Sequence, residues 1–354
     1  MVDVIYTGKV ELGGAGIGKT ALHQVKPLIE KNLLKRAYVA NTVPEFKEYV
    51  TIIPTVKADY ASQDLMFDSV TSLVAQSSKL LQSWLSHSLF TMQSLNFEYK
   101  VVNCFSAHVQ EQEELIEKAI GPTMIIHPLL KEKIIREMKL ATHILCPSEF
   151  VFESLKKHGL ASKAQIIPFG VDTEKFVPGK KLDEKFRILF IGRNWIRKGL
   201  IYLLSAWNEL ELKDAELLVI TSKIPEQVEL PPNTRVVEWV DDIIETYQNS
   251  DVFVLPAIED GCPLVTYEAL ACGLPVIISK TTGTKQHVWN GTNGFVIDSG
   301  NVSEIADRIK FLYEHRNELA EMKKKARESV MGLTWKSFEE QYAKWIQGIL
   351  NGNF

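Results

Sequence analysis

The sequence predicts an α/β protein of two domains, each built on a parallel sheet, and three observations point there. Its 354 residues exceed what one small hydrophobic core ordinarily serves, so two domains with a cleft between them are expected. Short apolar runs alternate with amphipathic helical patterns over most of the chain, as in layered α/β structure with parallel strands. Near the middle, Pro168-Phe-Gly-Val-Asp172 and Pro178-Gly-Lys-Lys181 make a turn-rich break, after which the alternation starts afresh. The expected division is residues 1–168, residues 169–334, and a terminal helix over 335–354 that packs back toward the first domain.

In the first domain, residues 2–6 (Val-Asp-Val-Ile-Tyr) read as a strand, and a glycine-rich turn at 13–18 leads into a helix reaching about residue 31. Residues 37–41 are the next strand. Helical periodicity spans about 68–92, followed by a strand at 99–105, a helix at 111–119 and a strand at 123–126. A helix over 131–140, a strand at 144–146 and a helix at 150–158 complete this half. Beyond the break, strands are expected at 187–191, 216–221, 235–239, 252–255 and 276–279, with helices at 200–210, 243–248 and 265–271. The stretch 302–350 reads as a helical run, because Ile305, Ile309, Leu312 and Tyr313 recur at helical spacing.

Composition narrows the function classes. The chain is 45% hydrophobic and 24% charged, ordinary for a globular protein. A net charge of -4 leaves no basic footprint for nucleic acid, so none is expected as a partner. Cys104, Cys146, Cys262 and Cys272 lack metal-ligand spacing and read as reduced, mostly buried thiols. The opening residues show no basic region followed by an apolar stretch, and no run is long enough to span a membrane. A cytoplasmic location is the expectation.

The chemistry concentrates in the second half. The strand at 187–191 ends in Gly192-Arg193-Asn194-Trp195-Ile196-Arg197-Lys198-Gly199 and then a helix. In an open parallel sheet, ligands collect at the carboxyl ends of strands. Arg193 offers a planar fork for phosphate oxygens and Lys198 a point charge at a helix start, a pair suited to a diphosphate. Isolated, the two would be read as solvated surface cations. The strand at 252–255 leads to Asp260-Gly-Cys-Pro263-Leu264-Val265-Thr-Tyr-Glu268, with two carboxylates eight residues apart. Asp260 then reaches a ligand over the strand ends while Glu268 holds a more distant part of it. The free N–H groups of Leu264 and Val265 supply a second anion site. Taken singly, Glu268 is an ordinary helix carboxylate and Asp260 a turn or cap residue.

Together, Gly192–Gly199, Pro168-x-Gly-Val-Asp172 and Glu268-Ala-Leu-Ala-Cys-Gly-Leu-Pro-Val resemble the retaining GT-B glycosyltransferases, the group 1 family that includes many mannosyl- and glucosyltransferases. The likeness continues through Asn290-Gly-Thr-Asn-Gly-Phe-Val to Trp335 and is looser in the first half. It implies two Rossmann-like domains with parallel sheets facing across a cleft. It also implies a nucleotide-sugar donor held mainly by the second domain, with no cofactor and no metal. By the same resemblance Arg193 and Lys198 hold the donor pyrophosphate, Glu268 the ribose hydroxyls, and Asp260 stands near the transferred sugar where the family usually has Glu. Pro263 replaces a common Gly and Gln286 a frequent Glu.

The first half carries a rival motif. Gly13-Gly14-Ala15-Gly16-Ile17-Gly18-Lys19-Thr20 matches the P-loop spacing. A P-loop should follow a strand directly, whereas Thr7-Gly-Lys-Val-Glu-Leu12 intervenes, and Phe295-Val-Ile-Asp298 lies in the other domain. The resemblance assigns Gly14, Ala15 and Gly16 instead to a loop whose backbone approaches the donor phosphates. It also places His127, closing the strand at 123–126, near the reacting centre, while His108 reads as structural. The helix at 131–140 interleaves Lys131, Lys133, Arg136 and Lys139 with apolar residues. It would either rest on an anionic membrane presenting a lipid acceptor or lie solvated over a core.

The expected reaction is hexose transfer from a nucleotide-diphosphate sugar to a hydroxyl acceptor, a sugar or lipid-linked glycan. Arg193, Lys198 and helix N–H groups stabilise the leaving diphosphate, and His127 orients the sugar. Two alternatives stay open: a nucleotide-sugar binding protein that lost transfer, motivated by Asp260, Pro263 and Gln286, and a P-loop NTPase using residues 13–20.

Overall fold

The computed structural model describes residues 3–12, 17–55, 59–122, 126–238 and 243–353. Strands β1 (Val4–Glu11), β2 (Leu34–Asn41), β3 (Val50–Ile52), β4 (Leu80–Trp84), β5 (Tyr99–Asn103), β6 (His143–Cys146) and β7 (Ala164–Ile166) form a parallel seven-stranded sheet. Its order is β3-β2-β1-β4-β5-β6-β7. Helices α1 (Ile17–Glu30), α2 (Tyr60–Val74), α3 (Leu89–Ser94), α4 (Val109–Ile120), α5 (Pro128–Leu140) and α6 (Glu149–Lys157) alternate with these strands.

The second sheet comprises β8 (Phe186–Ile191), β9 (Ala215–Ile220), β10 (Thr234–Val237), β11 (Val252–Leu255), β12 (Val276–Ser279) and β13 (Gly294–Ile297), in the order β10-β9-β8-β11-β12-β13. It is parallel throughout. Helices α7 (Leu200–Glu209), α8 (Ile244–Gln248), α9 (Leu264–Ala271), α10 (Val302–Glu314), α11 (Arg316–Val330) and α12 (Trp335–Leu350) accompany it. Every residue of β8, β11 and β12 is buried, as expected for central strands covered on both faces. In each sheet the strand order reverses beside the first strand, between β1 and β4 and between β8 and β11, which is where open α/β sheets leave a crevice.

Several expectations change. Helical periodicity over 68–92 gives way to α2, β4 and α3. Buried β4 reads poorly as a strand because it carries Gln82 and Ser83. Gln82 Nε2 donates to Asn103 Oδ1 (2.7 Å), which also accepts from Gln24 Nε2 (3.0 Å). The run 302–350 is three helices, stopped at His315 and again after Val330. Strand β1 extends to Glu11, so of the residues expected to separate the strand from the glycine-rich turn, Thr7–Glu11 are strand and Leu12 is not. Most of the expected strand at 123–126, the residue Trp239, and Gly13, Gly14, Ala15 and Gly16 lie outside the described residues.

Helix α12, capped by Thr334, lies against α1. His23 of α1 stacks on Trp335 with centroids 4.2 Å apart and hydrogen-bonds Glu339 at 2.6 Å. Helix α5 is not the basic face its sequence suggested. Lys133 points inward, 2.8 Å from Asp68 and 2.6 Å from the Ser86 carbonyl. Lys131 pairs with Glu113 and Arg136 with Glu132. These pairings take up charge of Lys131, Lys133 and Arg136, while Lys139 is exposed. Among the described residues no helix is long and apolar enough to cross a membrane.

Candidate donor-binding cleft

A cleft of about 420 Å³, within the usual range for small-ligand sites, opens where the carboxyl ends of β8 and β11 face the loop after β5. Its chemistry begins with the turn after β8. Gly199 has φ of +73°, and a Cβ there would meet the Pro256 carbonyl oxygen at 2.0 Å. Only glycine fits both the left-handed backbone and the close approach. That contact presses the β8 loop against the β11 loop and turns Lys198 inward.

Lys198 pairs with Asp260, their side chains 14% and 9% exposed. Burial pushes the Lys198 ammonium down, to about 7, with the Arg197 charge acting the same way and Glu259 opposing. Arg193 lines the cleft from the exposed side of the same loop, and its carbonyl accepts from Ser222 Oγ (2.6 Å). Across from them, α9 begins after Pro263, whose side chain offers its first amides no hydrogen bond. Leu264 and Val265 line the cleft there. Two cations and a helix amino end therefore converge on one space.

Glu268, one turn further along α9, accepts from Tyr247 OH at 3.0 Å. Burial raises its pKa, opposed by Lys19, Tyr247 and Lys175. Lys19 Nζ, from the first turn of α1, stands 4.0 Å from Glu268 Oε1 and lies over the rings of Phe176 and Trp335, 5.4 and 5.8 Å from their centroids. The lysine of the P-loop spacing thus meets a carboxylate and two aromatic faces, an environment for a cation-binding cage rather than a phosphate cradle.

The structure brings Arg193, Lys198, Asp260, Leu264 and Val265 to one cleft, with Glu268 on the helix beyond. It does not bring His127 there. That residue is exposed, and its Nδ1 accepts from the Leu129 N–H (3.3 Å) to cap α5. Pro128 after it is the first helical residue, so its place in the sequence is that of a cap. His108 is structural: it caps α4 and stacks on His158 at 3.7 Å, and burial pushes it down to about 4. Sequence reasoning missed Phe105 and Ser106 of the first half and Phe169 of the connection, which line the cleft. It also missed the pairing of Arg197 with Glu259 at 3.0 Å. No local signal marks these, because each contact is made between distant segments. Gln286 is not among the residues that line this cleft, and it accepts from the Glu149 N–H (2.9 Å) across the two halves.

Residues 171–329 match the family of glycosyl transferases group 1. This stretch is a group 1 glycosyltransferase domain, and the fold around it is GT-B. The group 1 stretch contains Arg193, Lys198, Asp260 and Glu268. The chain is 32% identical over 209 residues to the capsular polysaccharide biosynthesis glycosyltransferase CapM of Staphylococcus aureus, covering 52% of this chain and 54% of that one. It thus spans about half the length of this curated relative. Among solved structures, sucrose-phosphate synthase from Thermosynechococcus elongatus superposes with a TM-score of 0.77 at 15% identity, covering 99% of both chains. Anabaena HepE, solved in complex with UDP and glucose, gives 0.72 at 14% identity, covering 98% of this chain and 100% of that one. At such identity these structures establish the two-domain fold for the whole chain.

Proposed function

We propose that the protein is a glycosyltransferase moving a hexose from a nucleoside-diphosphate sugar to a hydroxyl of a glycan or lipid-linked acceptor, with retention at the anomeric carbon and without a metal. The observation that carries this is the desolvated Lys198 beside Asp260, facing the amino end of α9 in a cleft at the carboxyl ends of two parallel strands. The UDP and glucose in the HepE complex support a nucleotide-sugar donor.

Transfer breaks the bond from the anomeric carbon to the diphosphate oxygen and forms one to the acceptor oxygen. Negative charge grows on the leaving diphosphate, and Lys198, Arg193 and the α9 amides stabilise it. These fixed cations fill the place a divalent ion takes in other transferases. The acceptor attacks on the face from which the diphosphate departs, and a diphosphate oxygen takes its proton. Asp260, already in contact with Lys198, accepts hydrogen bonds from the sugar hydroxyls. Glu268 accepts from the ribose hydroxyls.

Incubating the purified protein with a panel of nucleotide sugars, with and without EDTA, and reading nucleoside diphosphate release tests this. Release from one donor, undiminished by EDTA, is expected. Tight binding of a donor without release under any acceptor would instead favour a binding protein of the same fold.

A further inference from the structure

Glu259 is fully buried, and none of the roles above uses it. Its carboxylate gathers donors from both halves of the molecule. Oε1 accepts from the Ala107 N–H (2.9 Å), and Oε2 accepts from Gln112 Nε2 (2.6 Å) and Arg197 Nη1 (3.0 Å). The same guanidinium nitrogen donates to the Glu259 carbonyl at 2.9 Å. A buried carboxylate is tolerated only with such saturation.

The placement of these partners matters more than their number. Ala107 follows Phe105 and Ser106, which line the cleft from the first half. Arg197 and Lys198 line it from the second half, and Asp260 is the residue next to Glu259. One side chain therefore ties three cleft-lining segments. The backbones meet closely here as well: a Cβ on Gly261 would lie 2.0 Å from the Phe105 carbonyl oxygen, and Ser148 Oγ donates to the Gly261 carbonyl (2.7 Å). Directional hydrogen bonds hold one spacing of the two halves and are lost when that spacing changes.

We propose that Glu259 is a positioning residue: it sets Arg197 at the cleft wall and holds the closed spacing of the two halves in which transfer occurs. This rests on the donor-site assignment above. Lys198, the α9 amino end and Glu268 all belong to the second half, so donor binding does not require the tie, whereas transfer to an acceptor presented by the first half does.

The test is Glu259→Gln, which keeps the volume and an acceptor for Ala107 but turns an amide toward Arg197. Glu259→Asp, a carboxylate one methylene shorter, serves if the first variant unfolds. Donor KM is expected within about threefold of the reference and kcat lowered at least about tenfold, the pattern of an interaction needed only after binding. In parallel, spin labels placed through Leu73→Cys and Leu230→Cys report the spacing between the halves. Both sites are exposed, and all four native cysteines are buried. A narrow distance distribution in the reference should broaden and lengthen in Glu259→Gln. An unchanged kcat with an unchanged distribution overturns the proposal, and so does a raised KM at constant kcat, which would make this a donor-binding contact. If the reference releases no nucleoside diphosphate from any donor, the transfer reading fails, and the label distances still decide whether Glu259 sets the spacing.

Discussion

Removing the charge of Lys198 separates its role in transfer from its role in folding. The Lys198 and Asp260 side chains are largely desolvated, so Lys198→Met strands a buried carboxylate, which costs about 3–5 kcal/mol of stability. Replacing both, as Lys198→Met with Asp260→Asn, removes the stranded charge, and the double variant should recover most of that stability. Catalysis should not recover with it. A preorganised cation aimed at a developing oxyanion contributes roughly 3–4 kcal/mol, so kcat is expected to fall about 10²–10³-fold in both variants. Urea unfolding followed by tryptophan fluorescence reads the stability, and nucleoside diphosphate release at saturating donor reads kcat. A double variant that is stable and turns over within tenfold of the wild type would refute the electrostatic role of Lys198.

Three further outcomes follow from the cleft. Because burial holds Lys198 near 7 without a ligand, a bound diphosphate should raise its pKa. Donor binding then takes up a proton above about pH 7, and affinity falls as pH rises past that value. Calorimetry of a nucleotide sugar at pH 8 in buffers of different ionisation enthalpy measures this, and zero uptake contradicts it. Glu268→Ala should weaken nucleotide binding by about 1.5–3 kcal/mol, and the wild type should lose a comparable amount for a 2′,3′-dideoxyribose donor, since both delete a hydrogen bond to a charged acceptor. Unequal losses would remove Glu268 from the ribose. Lys19→Ala should leave the protein, like the wild type, without Mg-dependent ATP or GTP hydrolysis. Wild-type hydrolysis that vanishes in this variant would restore the P-loop assignment.

Much of the second half is legible in the sequence because its signals are local. Strands β8, β11 and β12 are apolar runs broken only by Arg187 and Ser279, and the Gly192–Gly199 and Asp260–Glu268 segments carry charge at spacings that a strand-to-helix turn converts into one site. In the first half the local signal fails where burial is polar. Gln82 and Ser83 disguise β4 because they are polar yet buried, Gln82 donating to the distant Asn103, and Lys133 of α5 reads as a surface charge although Asp68 holds it inside. His127 misleads for the opposite reason, since a histidine before Pro128 suits a catalytic loop and a helix cap alike.

By itself, then, the sequence determined two parallel α/β layers and singled out Arg193, Lys198, Asp260 and Glu268 as candidates for one site. Short-range hydrophobic pattern and turn geometry suffice for both. Tertiary structure alone decided which first-half residues meet that site. The contacts of Lys19 with Glu268, of Glu259 with Ala107 and Gln112, and of Phe105 with Phe169, whose ring centroids are 4.7 Å apart, join segments from different parts of the chain. Their energy depends on the relative placement of the two sheets, and no periodicity within one segment encodes that placement.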